Sequence, residues 1–526
     1  MAEIAVPGPK ATRREWIGLA VLALPCLLYS MDLTVLNLAV PKLTADLQPS
    51  AAQLLWIVDI YGFLVAGSLI TMGTLGDRVG RRRVLLIGAA AFGAASVLAA
   101  FASSAEMLIF ARAVLGLAGA TLAPSTLSLL RNMFLDERER TFAIGVWIAS
   151  FSAGGAIGPV VGGVLLEFFW WGSVFLVAVP VMVLLLLVGP VLLPEYRDEH
   201  AGRMDITSAG MSLLAVLAVI FGVKRIAEEG FGWLPVLVMA VGLGMGLLFV
   251  RRQRRLADPL IDMSLFRTAA FSAALGINLL ALFTAFGFFL FTAQYLQLVL
   301  DMSPLEAGLW SAPAGIAFVA GSMLAPQLVR WFRPSQVISG GLLVSALGFA
   351  VLTQIGGPYA LAVLMTGLLL FCLGLAPVGT LTTDLIIGSV PPERAGAASA
   401  ISETSFELGG ALGIAVLGSI AAAAYRGWMA DAVPAGVPPE AALAARDTLA
   451  AALVVAEELP LALGADLAAS ARIAFTQAID VTSILCAAMA LAAAVLAAIL
   501  LRRRVRPPGS GHPGEVAAEA LAVEPG

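Results

Sequence analysis

The chain has 526 residues, of which 60% are hydrophobic and only 13% charged, with a mean hydropathy of +0.95. Soluble proteins carry about 25% charged residues, so the composition leaves very little soluble mass and points to a polytopic membrane protein. The net charge of −4 says nothing about partners, because in such a chain the distribution of charge outweighs its sum.

A helix needs about 20 apolar residues to cross a bilayer. By that measure the chain reads as all-α, with fourteen spans at 16–40, 54–75, 84–103, 106–130, 142–166, 173–193, 206–224, 233–250, 270–298, 306–329, 335–355, 359–387, 396–424 and 479–501. An even count puts both termini on one side. Of the 31 Lys and Arg residues, twenty-four fall in the terminus-side segments, six on the opposite side, and Arg112 lies inside a span. The positive-inside rule then places both ends in the cytoplasm. The polar start, Met1 to Glu15, runs directly into a full-length span, so no cleavable signal is expected. Cys26, Cys372 and Cys486 lie in apolar spans and His200 and His512 in polar segments, which argues against disulfides, a metal site or imidazole chemistry in the membrane.

The first span ends Met31-Asp32-Leu33-Thr34-Val35-Leu36-Asn37-Leu38-Ala39-Val40-Pro41. Asp32 is an acid within the membrane; its readings are a structural hydrogen bond to Thr34 or a neighbouring helix, or a proton or substrate role. The second span opens Leu54-Leu55-Trp56-Ile57-Val58-Asp59-Ile60-Tyr61, with Asp59 near the external mouth. Between spans two and three lies Gly73-Thr74-Leu75-Gly76-Asp77-Arg78-Val79-Gly80-Arg81-Arg82. An ordinary basic loop explains the arginines but not Gly73, Asp77 and Gly80, which suit a tight turn and a carboxylate able to bridge to arginines or a helix N-terminus. Arg112 is the only cation deep in a span; a buried guanidinium needs acidic or carbonyl partners, and Asp32 is the candidate. The fifth span carries Gly154-x-x-x-Gly158-Pro159-x-x-Gly162-Gly163, in which small residues let helices touch and proline kinks the helix.

Spans seven and eight hold no acid in their apolar cores and read as a peripheral hairpin inserted between two halves. The expected division is 1–193, a six-helix bundle; 194–269, the inserted pair with linkers; 270–501, a second six-helix bundle; and 502–526, a disordered cytoplasmic tail rich in Pro, Gly, Ala and Glu. In span ten the one acid, Glu306, sits at the external mouth, with Phe318 and Ser322 in the interior; Asp384, near the cytoplasmic end of span twelve, is a weaker candidate. Span thirteen carries Glu403 and Glu407 four residues apart, on one helix face near the midplane. They form either an interhelical hydrogen-bonding pair or a proton or cation site in a cavity. Ser405-Phe406-Glu407-Leu408-Gly409-Gly410-Ala411-Leu412-Gly413 repeats Ser150-Phe151-Ser152-Ala153-Gly154-Gly155-Ala156-Ile157-Gly158, so that acids stand where the other half has Ile148 and Ser152. The external segment 426–478 reads as two amphipathic helices, about 439–458 and 461–478, broken at Pro460: a solvated cap or a lid.

The loop at Gly73–Arg82 resembles the signature loop of the major facilitator superfamily, and the fifth-span glycines resemble the antiporter motif of its proton-coupled drug exporters. The Asp32 element and the start of span two are similar to the fourteen-span drug:proton antiporter branch, that of quaternary-ammonium and multidrug efflux pumps. The resemblance covers nearly the whole chain. It implies a cytoplasmic gate latch at Gly73, Asp77, Arg78, Gly80 and Arg81, a proton-transfer role for Arg112, and functional acids at Glu403 and Glu407. Relatives with an acid inside the tenth span differ from this chain, which leaves dicationic substrates open.

The expected function is proton-coupled export of lipophilic, mainly cationic drugs by rocking of two bundles, with Asp32, Arg112, Glu403 and Glu407 coupling proton to substrate. Aromatics that could hold a hydrophobic cation are Tyr29, Trp56, Trp147, Phe151, Phe288, Tyr295 and Phe406, with Asp59 beside them; each could equally be packing bulk. A narrow exporter of one metabolite, antibiotic or lipid is the alternative, and a receptor or scaffold without flux the third reading. No G-x-x-x-x-G-K-[ST] loop is present, so an ATP-driven pump is disfavoured. The protein is expected to be a non-enzymatic monomer without cofactor, metal or nucleic-acid partner, driven by the proton gradient and in contact with lipid.

Overall fold

The computed structural model describes residues 10–197, 205–229, 232–256, 259, 261, 263–390 and 395–501, so the tail expected at 502–526 lies outside the described residues. Every regular element among them is helical, the solution that satisfies backbone polar groups within each segment in hydrocarbon. The first bundle comprises α1 (Arg13–Leu47), α2 (Ala51–Val79), α3 (Arg81–Ala100), the span formed by α4 (Ala105–Gly119) and α5 (Leu122–Met133), α6 (Glu137–Phe168), and the span formed by α7 (Ser173–Leu176) and α8 (Ala178–Leu192). The inserted pair is α9 (Ile206–Glu229) and α10 (Trp233–Gln253). The second bundle comprises α11 (Ala269–Gln294), α12 (Pro304–Leu328), α13 (Pro334–Leu352), α14 (Ala360–Gly388), α15 (Ala395–Ala432) and α18 (Leu461–Leu500), with α16 (Pro439–Asp447) and α17 (Leu449–Glu458) between the last two. Helix starts follow the local sequence: capping boxes pair Thr12 with Glu15, Ser50 with Gln53 and Ser303 with Glu306.

Among the described residues thirteen helical stretches are long and apolar enough to span a membrane, and the bent α6 makes a fourteenth. Its two halves, Phe142–Gly155 and Ile157–Phe168, meet at 43°. Pro159 lacks an N–H and crowds the carbonyl four residues back, at Gly155, which places the bend there. The outer segment differs from the expected pair of helices. Thr448 interrupts the first by capping α17, its side chain accepting from Ala451 N. The second is continuous with the last span, so α18 is one 40-residue helix. Ala-rich sequence offers no stop signal at 478, and polarity alone suggested the boundary.

The internal repeat is visible in the packing. Gly154 and Gly158 of α6 lie against the Leu27 and Met31 carbonyls of α1; Gly409 and Gly413 of α15 lie against the Leu279 and Phe283 carbonyls of α11. The same small residues bring the same pair of helices together in both bundles. The inserted hairpin does not stand apart. Its α9 packs on α2 and α15, one helix from each bundle, with Ile220 seated among Phe63, Ala411 and Ala415. At its terminus-side end Arg252 makes two hydrogen bonds to Asp205, of 3.2 and 3.1 Å, which hold that carboxyl down to about 2. The bundles themselves meet toward the end opposite the termini, where Gln297 donates to the Leu38 carbonyl (3.0 Å) and Gly163 approaches the Pro304 carbonyl.

Candidate functional site

Among the described residues, two arrangements of charge bring together the acids and the arginine singled out in the sequence. In the first, α4 delivers Arg112, 1% exposed, into the space between α1 and α2. Its Nη1 is hydrogen-bonded to Asp32 Oδ2, its Nε donates to the Ile57 carbonyl (3.1 Å) and its Nη2 to the Val58 carbonyl (3.4 Å). The guanidinium also stands 4.6 Å over the Tyr61 ring. The structure thus joins the two residues that sequence reasoning paired. It adds Tyr61, whose signal was its place two residues beyond Asp59. Gly116 and Gly119 clear the room that Tyr61 occupies.

The second arrangement spans the bundles. Tyr29 of α1 donates its hydroxyl to Glu407 Oε1 of α15 at 2.5 Å. Tyr29 is itself held edge-on by Phe151, with ring centroids 5.6 Å apart, and Phe151 by Trp147 at 4.8 Å; Trp147 donates to Thr126 at 2.9 Å. Glu407 also lines a small, partly open cavity, with Val58, Asp59 and Gly62 from α2, Phe286 from α11, and Phe406, Gly410, Ala411 and Ile414 from α15. The Phe286 and Phe406 rings meet edge to face at 5.7 Å. Asp59 is 1% exposed, so it is a wall residue of the interior and not, as the sequence allowed, an interfacial one. It is enclosed with residues of α11 and α15, which no local pattern announces. Glu403, one turn from Glu407, is half-buried and is not among the residues lining this cavity.

Several aromatics expected at the cavity lie elsewhere. Phe288 packs with Phe349 and Phe371 in the core of the second bundle, with centroids 5.6 and 6.0 Å away. Tyr295 donates to the Ile355 carbonyl (3.0 Å), again within that bundle. Trp56 packs against the cluster at α9. Trp147 and Phe151 support Tyr29 from behind. Phe286, which does line the cavity, was missed: a Phe-rich helix gives no sign of which ring faces inward.

At the terminus-side loop, Gly80 adopts φ +120°, and a Cβ there would come within 2.5 Å of Glu195 Oε1. Arg81 N donates to the Tyr196 carbonyl (2.9 Å), Arg81 Nη1 to that of Pro124 (3.4 Å), and Arg82 N to Glu195 Oε1 (3.1 Å). Gly73 also approaches Pro124, and Arg78 is half-buried in the last turn of α2; the Asp77 side chain lies outside the described residues. The loop thereby fastens α2 and α3 to α5 and to the segment after α8. The glycines of the fifth span make a second fastening. Beyond Gly154 and Gly158, Gly162 meets Val35 of α1, Gly163 faces the Pro304 carbonyl of α12, and Gly308 of α12 meets the Pro159 carbonyl.

Residues 22–414 match the family model described as Major Facilitator Superfamily. The chain belongs to the major facilitator superfamily. It is therefore a multi-pass membrane transporter and not an enzyme. Among its relatives in this superfamily, the chain is 44% identical to the multidrug efflux pump LfrA of Mycolicibacterium smegmatis, over 94% of this chain and 98% of that one. It is 35% identical to the methyl viologen resistance protein SmvA of Salmonella typhimurium, over 88% and 93%. It is 30% identical to the tetracenomycin C resistance and export protein of Streptomyces glaucescens, over 94% and 93%. Among solved structures it resembles a bacterial homologue of the human lysosomal transporter Spinster in an inward-facing, unoccupied conformation. There the TM-score is 0.65 at 18% identity, over 94% of this chain and all of that one, a likeness of fold.

Proposed function

We propose that this major facilitator protein exports lipophilic, mainly cationic drugs in exchange for protons, with both termini in the cytoplasm. The observation that carries the reading is Glu407: 4% exposed, on the wall of a cavity beside Asp59, and hydrogen-bonded across the bundle boundary to Tyr29. An isolated carboxylate in such surroundings is costly, so it favours either a proton or a cationic guest. The two cannot be held together favourably, and that competition couples the fluxes. Phe286 and Phe406 supply ring faces and edges for a hydrophobic cation. Asp59 and Glu407 on one wall supply two carboxyls, whereas the one acid of the tenth span, Glu306, sits at its mouth, which extends the reading to dications such as the compound for which SmvA is named. The Asp32–Arg112 pair, buried against α2, would sense the same protonation step from the first bundle. Glu403 would serve as a second proton carrier one turn away. Inward movement of one elementary charge down 100 mV releases about 2.3 kcal/mol, and the pH gradient adds to it. Relatives with efflux, resistance or export in their names support drug export as the direction.

The test is exchange in proteoliposomes under an imposed pH gradient, with ethidium as monocation and methyl viologen as dication. Wild type should accumulate both against their gradients. Asp32→Asn, Glu403→Gln and Glu407→Gln should lose gradient-driven movement, and Asp59→Asn should lose the dication first. Exchange that survives all three of the first substitutions would overturn the reading. The narrower reading, export of one antibiotic, is favoured by the relative named for tetracenomycin C, and competition by a panel of cations and neutral compounds separates the two.

A further inference from the structure

The cap formed by α16 and α17 belongs to the second bundle by sequence, and three polar contacts clamp it there. Tyr425 of α15, buried, donates to the Ala445 carbonyl at 3.0 Å. Arg446 Nη2 donates to the Ala430 carbonyl at 3.1 Å. Arg426 Nη1 reaches Asp447 Oδ1 at 3.4 Å. The other oxygen of Asp447 leaves this bundle: Oδ2 accepts from the backbone N–H of Ala51 at 2.9 Å. Ala51 is the first residue of α2, where backbone N–H groups have no partner within the helix and the helix dipole is positive. Ser50 already caps Gln53 N, so Asp447 satisfies a donor that the local capping box leaves over. Beside it α17 continues onto α1, with Leu449 and Ala452 buried. One carboxylate therefore links an arginine of the second bundle to a helix start of the first, at the end opposite the termini.

We propose that Asp447 is a latch that holds this end of the transporter closed, and that it must release before the bundles part there. A carboxylate between a guanidinium and a helix N-terminus is well placed for this, since its hydrogen bonds are charge-assisted but reachable by water. The proposal rests on alternating access by the two bundles, so its test reads conformation separately from flux. Spin labels at Ser103→Cys and Tyr359→Cys, in the outer loops of the two bundles, report the separation by pulsed electron resonance; the three native cysteines are buried. Asp447→Ala should raise the ratio of long to short separations about tenfold, as expected for loss of one charge-assisted hydrogen bond. Asp447→Asn, which keeps an acceptor without the charge, should give a smaller shift in the same direction. Identical distance distributions in wild type and Asp447→Ala would overturn the proposal. A second arm guards against a misfolded variant. The pair Ala51→Cys and Asp447→Cys replaces the latch by an oxidisable one; oxidation should stop exchange and reductant should restore it. Full exchange with the disulfide closed would overturn the latch while leaving the transport reading intact, whereas wild-type protein without gradient-driven exchange would sink that reading alone.

Discussion

Replacing either member of the Asp32–Arg112 pair should damage the protein unequally. Arg112 is 1% exposed and Asp32 14%. Asp32→Asn leaves behind a guanidinium that cannot lose its proton and has no counter-charge, held by a neutral amide oxygen, the Ile57 and Val58 carbonyls and the Tyr61 and Phe175 rings. Orphaning one member of a buried pair costs about 3–5 kcal/mol. The Tyr61 ring returns about 2 kcal/mol of cation–π attraction in a dry site, but it does so in wild type too and cannot offset the loss. Arg112→Gln instead leaves a carboxyl with some access to water, which can neutralise itself by taking a proton. We therefore expect Asp32→Asn to cost about 3 kcal/mol and Arg112→Gln about 1–2 kcal/mol. The double variant should recover part of the larger loss. The assay is a double-mutant cycle on reversible unfolding in mixed micelles, with the retained fold checked by helical circular dichroism. If Arg112→Gln proved the more damaging, or if the coupling fell below about 1 kcal/mol, the pair would not be the desolvated unit described here.

Three further outcomes follow from the packing and the charges. Gly154→Ala should cost about 1–3 kcal/mol because its Cβ would overlap the Leu27 carbonyl, whereas Gly155→Ala, nearest to Ser30 Oγ at 3.4 Å, should leave the melting temperature in detergent almost unchanged. Gly413→Ala, facing the Phe283 carbonyl, should behave like Gly154→Ala, which tests the repeat by thermal unfolding. Tyr29→Phe keeps the ring against Phe151 and removes only the donor to Glu407, so gradient-driven exchange should fall at least tenfold with little change in melting, as read by paired transport and unfolding assays. Arg252 holds Asp205 down to about 2, so the clasp on the inserted hairpin should be fully present above about pH 4 and be lost only as pH falls through about 2. A fluorescence distance between α9 and α10 should stay flat from pH 8 to 5, and in Asp205→Asn the acid transition should vanish.

The helices, their number and the pairing of Arg112 with Asp32 were legible because each has a local cause: apolar length for the spans, and for the pair a buried cation in need of an anion. The repeat was legible as a string of small residues, and the structure supplies its reason, since those glycines are where α6 meets α1 and α15 meets α11. What stayed hidden depends on neighbours distant in sequence. Counted from the start of α2, Asp59 could lie at the interface or deep, and it is buried on the wall shared with α11 and α15. Phe286 and Phe288 are two residues apart on one helix, and nothing in the sequence says that the first faces the cavity and the second the bundle core. The outer boundary of α18 was misplaced because a solvated Ala-rich helix and an apolar span can follow one another without a break.

That unbroken helix makes the second bundle a lever. At 1.5 Å per residue, 40 residues extend about 60 Å, twice the thickness of the hydrocarbon, so about 30 Å of the helix reaches beyond it, packed on α17 and on the segment after α11. A bundle rotation of about 10° would swing the end near Leu461, 92% exposed, by roughly 5 Å, together with α17 packed against it at Gly464. Movements too slight to follow within the bilayer are magnified at this projecting end, where an antibody fragment or a surface-bound fluorophore could follow the working cycle from outside the membrane.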